Sequence, residues 1–561
     1  MEDVIKIFPL GGLGEIGKNM YIVDVNRQLF IFDAGLKYPT SELYGISEII
    51  PDYKFLVRYK DRIRGMFLTT AHEAHIGAVY QMMEDLNVPI YGTEFTLSVL
   101  KEILKDNGVN LNSVSLNVID KSTLLRFNDV RISFFSTSHS IPESIGIALQ
   151  TISGTIVYTS RFTFEQHEGS TYVTDYSELN KIASKGVLAL LIDSTGAKRS
   201  FTGGLLNNLS SKLSSIFQLA EGRVFVSIFE TDILKINMIC KLAKNLNKKV
   251  AFLSKEGHKI IGIARRMGYI DIDESQVVVL AKDSLKENNS YKDLIVIVNG
   301  TRIVPFKRLK DIAAGKDSYL YLKDNDTVVM LTPPILGLEK EVSNAVNLLS
   351  QRDIRLELIS AKSIPSTHAS ADEIKMMINL LKPKYIIPVC GDYQYQYQVS
   401  KLGQELGYDE KHILLLDVGD ILVLDDKPRI GKGDLRLREI YIDGTQLVEG
   451  NDYVMRDREQ LATDGILIVN AHIDIKKKEL IGDIDLISKG FLYSGKDEEL
   501  IELIKKTFNE TFKQYTKQDF LNSSDLNKEV KQDLVSAIYS NTKRSPIIIP
   551  NTIIIDSESE L

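Results

Sequence analysis

The spacing of apolar and polar positions divides the chain into stretches of different period. Apolar runs at residues 4–9, 20–25 and 29–33 are short and separated by glycines or polar turns, which predicts strands of an antiparallel sheet. A strand then runs into Phe67-Leu68, followed by a helical stretch at 78–86, a strand at 88–91 and a long helix at 94–106. Strand patterns return at 130–136, 155–159 and 187–192. From about residue 201 to 359 the pattern becomes repeated βα units. Strands are expected at 224–228, 250–253, 277–280, 294–298 and 328–331, with helices at 232–246 and 256–267. Strands apolar on both faces imply a parallel sheet covered by helices, and so a separate α/β domain.

A strand pattern over 380–390 ends this region, and the charged, glycine-containing sequence from 425 reads as the start of a linker. Beyond it a β-hairpin at 465–484 turns at Lys476-Lys477-Lys478, a solvated turn rather than a nucleic-acid patch. An amphipathic helix at 498–515 carries Leu500, Ile501, Leu503, Ile504, Phe508 and Phe512, and apolar runs close the chain at 547–549 and 553–555. That is a small α+β domain. Apolar strands at a terminus invite pairing with another chain, so oligomerisation is expected there.

Composition narrows the class. A chain of 561 residues has room for three or four domains at about 150 residues each. With 44% hydrophobic and 25% charged residues and mean hydropathy near zero, it reads as globular. Two cysteines, Cys240 and Cys390, cannot staple a chain of this size, which points to a reducing cytosol. The acidic start Met1-Glu2-Asp3-Val4 and the lack of any apolar run near 18 residues give neither a secretory signal nor a membrane span, so a cytoplasmic location is expected. A net charge of −7 argues against wholesale nucleic-acid coating but leaves room for a local basic groove.

The chemistry-bearing residues sit just past strand ends. Gly12-Leu13-Gly14-Glu15-Ile16-Gly17 matches G-x-G-x-x-G, but a strand follows rather than the helix a dinucleotide site needs, so it reads as tight turns. Metallohydrolases of the β-lactamase superfold place His-x-His-x-Asp-His after a strand, to aim imidazoles and a carboxylate into one dinuclear pocket. Here that frame reads Thr70-x-His72-x-Ala74-His75. Asp33-Ala34-Gly35 ends an earlier strand, where a carboxylate can orient a metal-bound histidine. His139, Arg161 and Asp193 follow later strands in the same manner. In the second α/β region, Asn299-Gly300-Thr301-Arg302 and Thr332-Pro333-Pro334-Ile335-Leu336-Gly337 end strands where open sheets take ligands, with plain connecting turns as the competing reading.

Taken in order, Gly11 to Asn19, Asp33-Ala34-Gly35, the His72/His75 loop, Thr137-Ser138-His139-Ser140-Ile141-Pro142 and Asp193-Ser194-Thr195 closely resemble ribonuclease J over essentially the full length. The resemblance implies an α/β protein: a metallo-β-lactamase αββα sandwich, an inserted β-CASP α/β domain and a small α+β C-terminal domain. The expected boundaries are 1–205 for the first part of the metallo-β-lactamase domain, 206–365 for the β-CASP domain and 366–424 for the return segment. A linker at 425–449 and an oligomerisation domain at 450–561 complete them. Members hydrolyse RNA from a 5′ monophosphate end, and sometimes internally, with a two-metal site assigned to zinc or manganese.

The family's metal set is only partly present. His72, His75 and His139 are kept, whereas Thr70, Ala74, Arg161 and Cys390 stand where the family has further ligands. The family's His-x-Ser-Gly-His segment, which handles substrate phosphate, aligns with Pro365-Ser366-Thr367-His368-Ala369, with His368 displaced by one position. The resemblance therefore implies an eroded metal set of His72, His75, His139 and Cys390, and catalytic roles for Asp33, Asp193 and His368. Arg161, Thr231, Asp232, Ser366 and Thr367 are implied as substrate-binding.

A dinuclear site needs two cations roughly 4 Å apart, bridged by oxygen ligands. A guanidinium cannot bridge them, and it adds a fixed cation. Arg161 is expected to replace part of a metal's charge, pairing with Asp33, Asp193 or an RNA phosphate. Full dinuclear occupancy is not expected; a single weakly held zinc on His72 or His75 with His139 and Cys390 is the competing arrangement, against Cys390 as a plain buried residue. The pattern resembles the J2-type paralogues: an RNA-binding protein with weak or relaxed 5′–3′ exo- and endonuclease activity, supporting an active ribonuclease J partner as a homodimer or mixed oligomer. The competing readings are a fully active metal-dependent ribonuclease and a small-molecule lactam or thioester hydrolase, for which the large insert and C-terminal domain would have no purpose.

Overall fold

A computed structural model describes residues 3–39, 45–165, 172–253, 257–332, 337–425, 427–449, 453–474, 476–493, 497–517 and 522–555, and they divide into two compact units. The first unit comprises residues 1–41 and 47–442.

Its amino-terminal strands Ile5–Gly11, Met20–Val25 and Gln28–Phe32 form an antiparallel meander, as their alternation requires. Strands Ile63–Phe67 and Ile90–Gly92 extend it in parallel through βα crossovers, and the sheet holds eight strands in all. A second, six-stranded sheet runs in the order Tyr385–Val389, Val187–Asp193, Gly154–Tyr158, Ile145–Thr151, Val130–Ser136 and Leu124–Phe127. The two sheets share one core. Tyr21, Val23, Phe30 and Phe32 from the first meet Phe134, Ile147, Tyr158, Leu191 and Ile387 from the second. The alternate residues, Met20, Ile22 and Ile31 on one side and Val157, Leu190 and Ile192 on the other, pack outward among helices such as Glu94–Asp106 and Ala371–Leu381. This period of two, apolar on both faces, makes the αββα sandwich.

The insert departs after Val187–Asp193 and returns in Tyr385–Val389, the neighbouring parallel strand. Within it five parallel strands are ordered Lys249–Phe252, Leu294–Gly300, Val224–Phe229, Thr327–Met330 and Arg355–Leu358. The outermost strand, Arg355–Leu358, and helices Leu205–Leu219, Val304–Ala313 and Glu339–Ser350 were not in the sequence reading. The strand expected at 277–280 is instead a single bridge from Val277 to Val250, and Val279 is 89% exposed. The helical stretch at 78–86 contains only the short helix Val79–Met82. Pro333 to Leu336 lie outside the described residues.

Residues 425–449 are not plain linker. Arg429–Gly431 pairs with Ile421–Leu424 on the edge of the large sheet, strands Ile440–Asp443 and Gln446–Glu449 follow, and the boundary between compact units falls at Ile442 and Asp443. Charge and glycine content obscured these short edge strands, whose apolar content is low.

In the second unit, strand Ile466–Asp474 pairs antiparallel with Glu479–Lys489 and parallel with Ile547–Ile555. Helices Glu498–Tyr515 and Ser523–Thr542 cover one face through Phe508, Phe512, Val530 and Leu534. The terminal apolar strand thus finds its first partner within the chain. On the other face, Ile487, Ile468 and Ile549 stand in one cross-strand row, and Ile487 and Ile549 are exposed.

Two features fix the strand-end loops of the first unit. Gly35 packs so closely on the Ala74 carbonyl that a Cβ would sit 1.7 Å from its oxygen. Glu15, in the glycine-rich turn, and Glu439 share Lys37, and Lys18 bridges the same two carboxylates. Burial alone would raise Glu439, but the Lys37 hydrogen bond and the Lys18 and Lys37 charges hold it below the usual carboxylate range. Gly35→Ala is expected to lower unfolding stability by about 1–3 kcal/mol, because backbone must give way, and denaturant titration of the purified variant checks it. For Glu439 the depressed folded value means stability that is present above the ordinary glutamate range and lost as pH falls through the lower folded one. Accordingly Glu439→Gln should lower the melting midpoint by up to about 2 °C at pH 7, with the gap to the parent chain closing in scans below about pH 4.

Candidate functional site: a strand-end pocket centred on Arg161

The pocket is built from residues just past parallel or adjacent strand ends, where side chains from separate loops converge. Asp33 follows Gln28–Phe32 in a left-handed conformation, φ 60°, and is fully buried. Its carboxylate accepts from the Thr69 backbone N–H at 2.8 Å, the Thr69 hydroxyl at 2.9 Å, the Tyr158 hydroxyl at 2.8 Å and His75 Nδ1 at 2.7 Å. A carboxylate partner fixes the proton of His75 on Nδ1. The remaining lone pair on Nε2 faces the Asn19 amide Nδ2 at 3.4 Å, and the same amide donates to the Ala74 carbonyl at 3.0 Å. The nitrogen that would serve a metal is therefore aimed at an amide donor.

The other two histidines implied as ligands, His72 and His139, are set the opposite way. His72 caps the four-residue helix Glu73–Ile76, its Nδ1 accepting from the Ala74 N–H at 3.1 Å, and Glu73 Oε2 stands 3.4 Å from that nitrogen. His139 Nδ1 accepts from the Ile141 N–H at 3.1 Å. When Nδ1 accepts, the neutral ring carries its proton on Nε2 and offers a donor there instead of a lone pair. The Nε2 of His139 is buried and has no hydrogen-bond partner among the described residues. Burial first, and the Arg161 charge second, hold His72 and His139 well below the ordinary imidazole range, so both rings are neutral near pH 7.

Arg161 follows strand Gly154–Tyr158 and is 8% exposed. Neither carboxylate expected as its partner pairs with it. Asp33 is taken by His75, Thr69 and Tyr158, and Asp193 accepts from His368 Nδ1 at 2.6 Å and the Thr195 N–H at 3.0 Å. The expected pairing of Arg161 with Asp33 or Asp193 is thus corrected, because histidines reach both carboxylates first. Burial lowers His368, against the pull of Asp193, and Arg161 adds to the lowering. Asp193, which burial would raise, is held below the usual carboxylate range by His368 and Thr195. Glu73, which also feels the Arg161 charge, is raised by burial.

Cys390 closes the pocket's far side at φ 55°, its backbone N–H donating to the Tyr21 hydroxyl at 3.1 Å and its carbonyl accepting from the Ser194 and Thr195 hydroxyls at 2.8 and 3.0 Å. Burial pushes its thiol far above the ordinary range, so without a metal it is protonated. Thr70 donates or accepts with Ser144 at 2.8 Å, and Ala74 is buried.

The remaining implied binding residues are only partly drawn in. Asp232 caps helix Ile233–Asn245 and pairs with Lys235, Thr231 precedes that cap, and the Leu234 N–H reaches the Ser140 carbonyl beside His139 at 3.0 Å. Ser366 accepts from the His368 N–H at 3.1 Å, and Thr367 is half-buried. Asn19, Tyr21, Thr69 and Tyr158 were missed as site residues; the available signal was a polar side chain within two positions of the end of an otherwise apolar strand.

Among the described residues no group of three or more His, Cys, Asp or Glu side chains converges in a metal-holding arrangement. The donor set itself does not fit a dinuclear centre. His75 Nε2 is aimed at an amide, His72 and His139 present N–H donors, Cys390 is a thiol, and a permanent guanidinium lies among them. What the pocket offers is a cation and imidazole N–H groups.

Family models match three parts of the chain: the ribonuclease J β-CASP domain at residues 221–349, the Zn-dependent metallo-hydrolase RNA specificity domain at 353–415 and the ribonuclease J C-terminal domain at 453–555. The chain is 33% identical to ribonuclease J 2 of Staphylococcus saprophyticus over 97% of both proteins. It is 32% identical to ribonuclease J 2 of Staphylococcus aureus and of Staphylococcus epidermidis over the same share. A crystal structure of a protein of unknown function from Enterococcus faecalis superposes at a TM-score of 0.52 with 12% identity, covering 75% of this chain and all of that one, which supports the fold alone. No helix of the described residues is long and apolar enough to cross a membrane. With its β-CASP, metallo-hydrolase and C-terminal domains and its full-length similarity to ribonuclease J 2 proteins, the chain belongs to the ribonuclease J family of metal-dependent ribonucleases and is of its J2 type.

Proposed function

We propose that this chain serves cytoplasmic RNA maturation and decay mainly by binding and positioning RNA, in assembly with an active ribonuclease J partner. Its own 5′–3′ exo- and endonucleolytic hydrolysis is weak or relaxed. The observation that carries this reading is Arg161, a buried cation that neither Asp33 nor Asp193 neutralises, beside the unpartnered Nε2 of His139. A buried charge that no carboxylate among the described residues pairs with directly is costly, so such a site favours an anion. A phosphate of the RNA backbone supplies one. Arg161 then binds the phosphate oxygens as a fork, and His139 and His72 donate through Nε2–H. Asp33 and Asp193 hold His75 and His368 in place, His75 toward Asn19 and His368 over Ser366. A guanidinium stabilises negative charge but cannot lower the pKa of a bound water, which is what the family's metals supply. Binding is retained and hydrolysis is relaxed.

Assembly is assigned to the second unit, whose open sheet face carries the Ile487, Ile468 and Ile549 row. Burying such a row against a second chain, of this kind or of the paralogue, removes apolar surface from water at about 25 cal/mol per Å².

The pocket reading is checked by metal analysis and binding together. The purified chain at saturating manganese or zinc is expected to hold fewer than two ions, and Arg161→Ala should weaken binding of a 5′-monophosphorylated oligonucleotide in EDTA by about ten- to a hundredfold. The combined substitution Arg161→Asp, Thr70→His and Ala74→Asp should raise metal content and nuclease rate. Two ions on the parent chain, or no change in the triple variant, would overturn the account. For assembly, Ile487→Lys with Ile549→Asp should shift the mass seen by light scattering toward the single chain and abolish any stimulation of an active paralogue; an unchanged mass would reject the second unit as the interface.

A further inference from the structure

Strands Val187–Asp193 and Tyr385–Val389 are parallel neighbours, with Asp193 opposite Val389, so the segments that leave them emerge side by side at the rim of the Arg161 pocket. The first carries Lys198 and Arg199, both exposed. The second opens helix Tyr393–Glu405 with the run Tyr393-Gln394-Tyr395-Gln396-Tyr397. Lys198 Nζ donates to Gln394 Oε1 at 2.6 Å and lies 5.6 Å from the Tyr395 ring centre, which ties the two segments together.

Tyr393, Tyr397 and Lys401 are spaced four apart and therefore share one face of the helix. The two rings lie 6.4 Å apart at an interplanar angle of 14°, and Lys401 Nζ sits 4.9 Å over the Tyr397 ring. The tyrosines are 55% and 49% exposed. Packing does not account for them, because the helix buries a different face through Gln396, Val399, Ser400, Leu402 and Gly403. No aliphatic residue stands beside them at the exposed positions of this helix, which hold Gln394, Lys401, Gln404 and Glu405, and Glu405 is paired with Lys375 at 2.6 Å.

We propose that Tyr393 and Tyr397, with Lys401 and Lys198 beside them, form a stacking platform for the unpaired bases of single-stranded RNA at the rim of the pocket. The proposal rests on the reading of this chain as an RNA-positioning protein. Every base has a π-face, so aromatic rings bind a strand without demanding a sequence, while lysines follow its phosphates. Tyrosines also anchor protein interfaces, so what selects RNA here is the pair of lysines beside the rings, Lys198 over Tyr395 and Lys401 over Tyr397, whose charges match the phosphates of a strand. Rings held on a helix are also ordered before a base arrives, which reduces the conformational entropy lost on binding. The platform leads toward Cys390 and Arg161, so a strand with a phosphate in the pocket has its neighbouring bases over the tyrosines.

The test measures full-length chain binding a fluorescent, unstructured 12-nucleotide RNA in EDTA by anisotropy, over a range of salt. Tyr393→Ala and Tyr397→Ala should each weaken binding about tenfold, while Tyr→Phe at both positions should restore affinity to within about twofold of the parent. Lys401→Ala should reduce the slope of log K against log salt by about 0.7 without abolishing binding. Thermal melting controls for folding, and because the positions are exposed, unchanged melting is expected. If the parent binds RNA and the double alanine variant binds within twofold of it, the platform is wrong and the family reading of RNA binding stands. Failure of the parent itself to bind would remove both. A change in oligomeric mass with unchanged RNA affinity would make the face a protein interface and overturn the proposal.

Discussion

The Asp33 carboxylate is the contact on which the pocket depends. It is buried where the ends of Gln28–Phe32 and Ile63–Phe67 meet the second sheet's Tyr158, and it accepts hydrogen bonds from both layers and from the histidine loop. Burying a carboxylate costs several kcal/mol, so its donors must be present together, each charge-assisted bond contributing about 1.5–3 kcal/mol. That requirement fixes where Thr69 and His75 sit, and through the Gly35 contact with Ala74 it fixes the intervening loop. A pocket whose catalytic ligands have changed can keep this geometry because the carboxylate beneath it still holds the loop.

Above that carboxylate the electrostatics are inverted. The family frame gathers anionic and lone-pair ligands around cations, whereas here the fixed cation is protein and the neutral histidines at 72 and 139 carry their protons on Nε2, as donors rather than lone pairs. The neutral state of these rings follows from burial and from Arg161, so the same substitution that removes a carboxylate also keeps the imidazoles uncharged. The losses come from three strand ends: Thr70 and Ala74 after Ile63–Phe67, Arg161 after Gly154–Tyr158 and Cys390 after Tyr385–Val389. Each is accommodated by ordinary packing or hydrogen bonding, as Thr70 with Ser144 and Cys390 with Tyr21 illustrate.

The second unit obeys a different constraint. Its strand Ile547–Ile555, apolar and terminal, is secured by parallel pairing to Ile466–Asp474, and two helices cover a single face of the resulting sheet. One half of its apolar alternation is thereby buried and the other half left facing outward, which is the physical basis for assigning assembly there.

By itself the sequence determined the strands at 20–25 and 130–136 and the helices at 94–106 and 498–515, whose periods are unambiguous, while the αββα-plus-insert architecture followed from the resemblance of its motifs to ribonuclease J. It also determined which ligand positions are altered, because those follow from residue identity in a motif. Short edge strands such as Arg429–Gly431 and Arg355–Leu358 were not legible, being too short and too polar for a period to show. Nor was the pairing of Arg161: a guanidinium between two available carboxylates suggests ion pairs, and only the fold shows that His75 and His368 reach Asp33 and Asp193 first. Tautomers, the amide facing His75 and the tyrosine stripe beside the pocket depend on which loops meet. Residue types are local, but their hydrogen-bond partners come from strands far apart in the chain, and tertiary structure alone decides those.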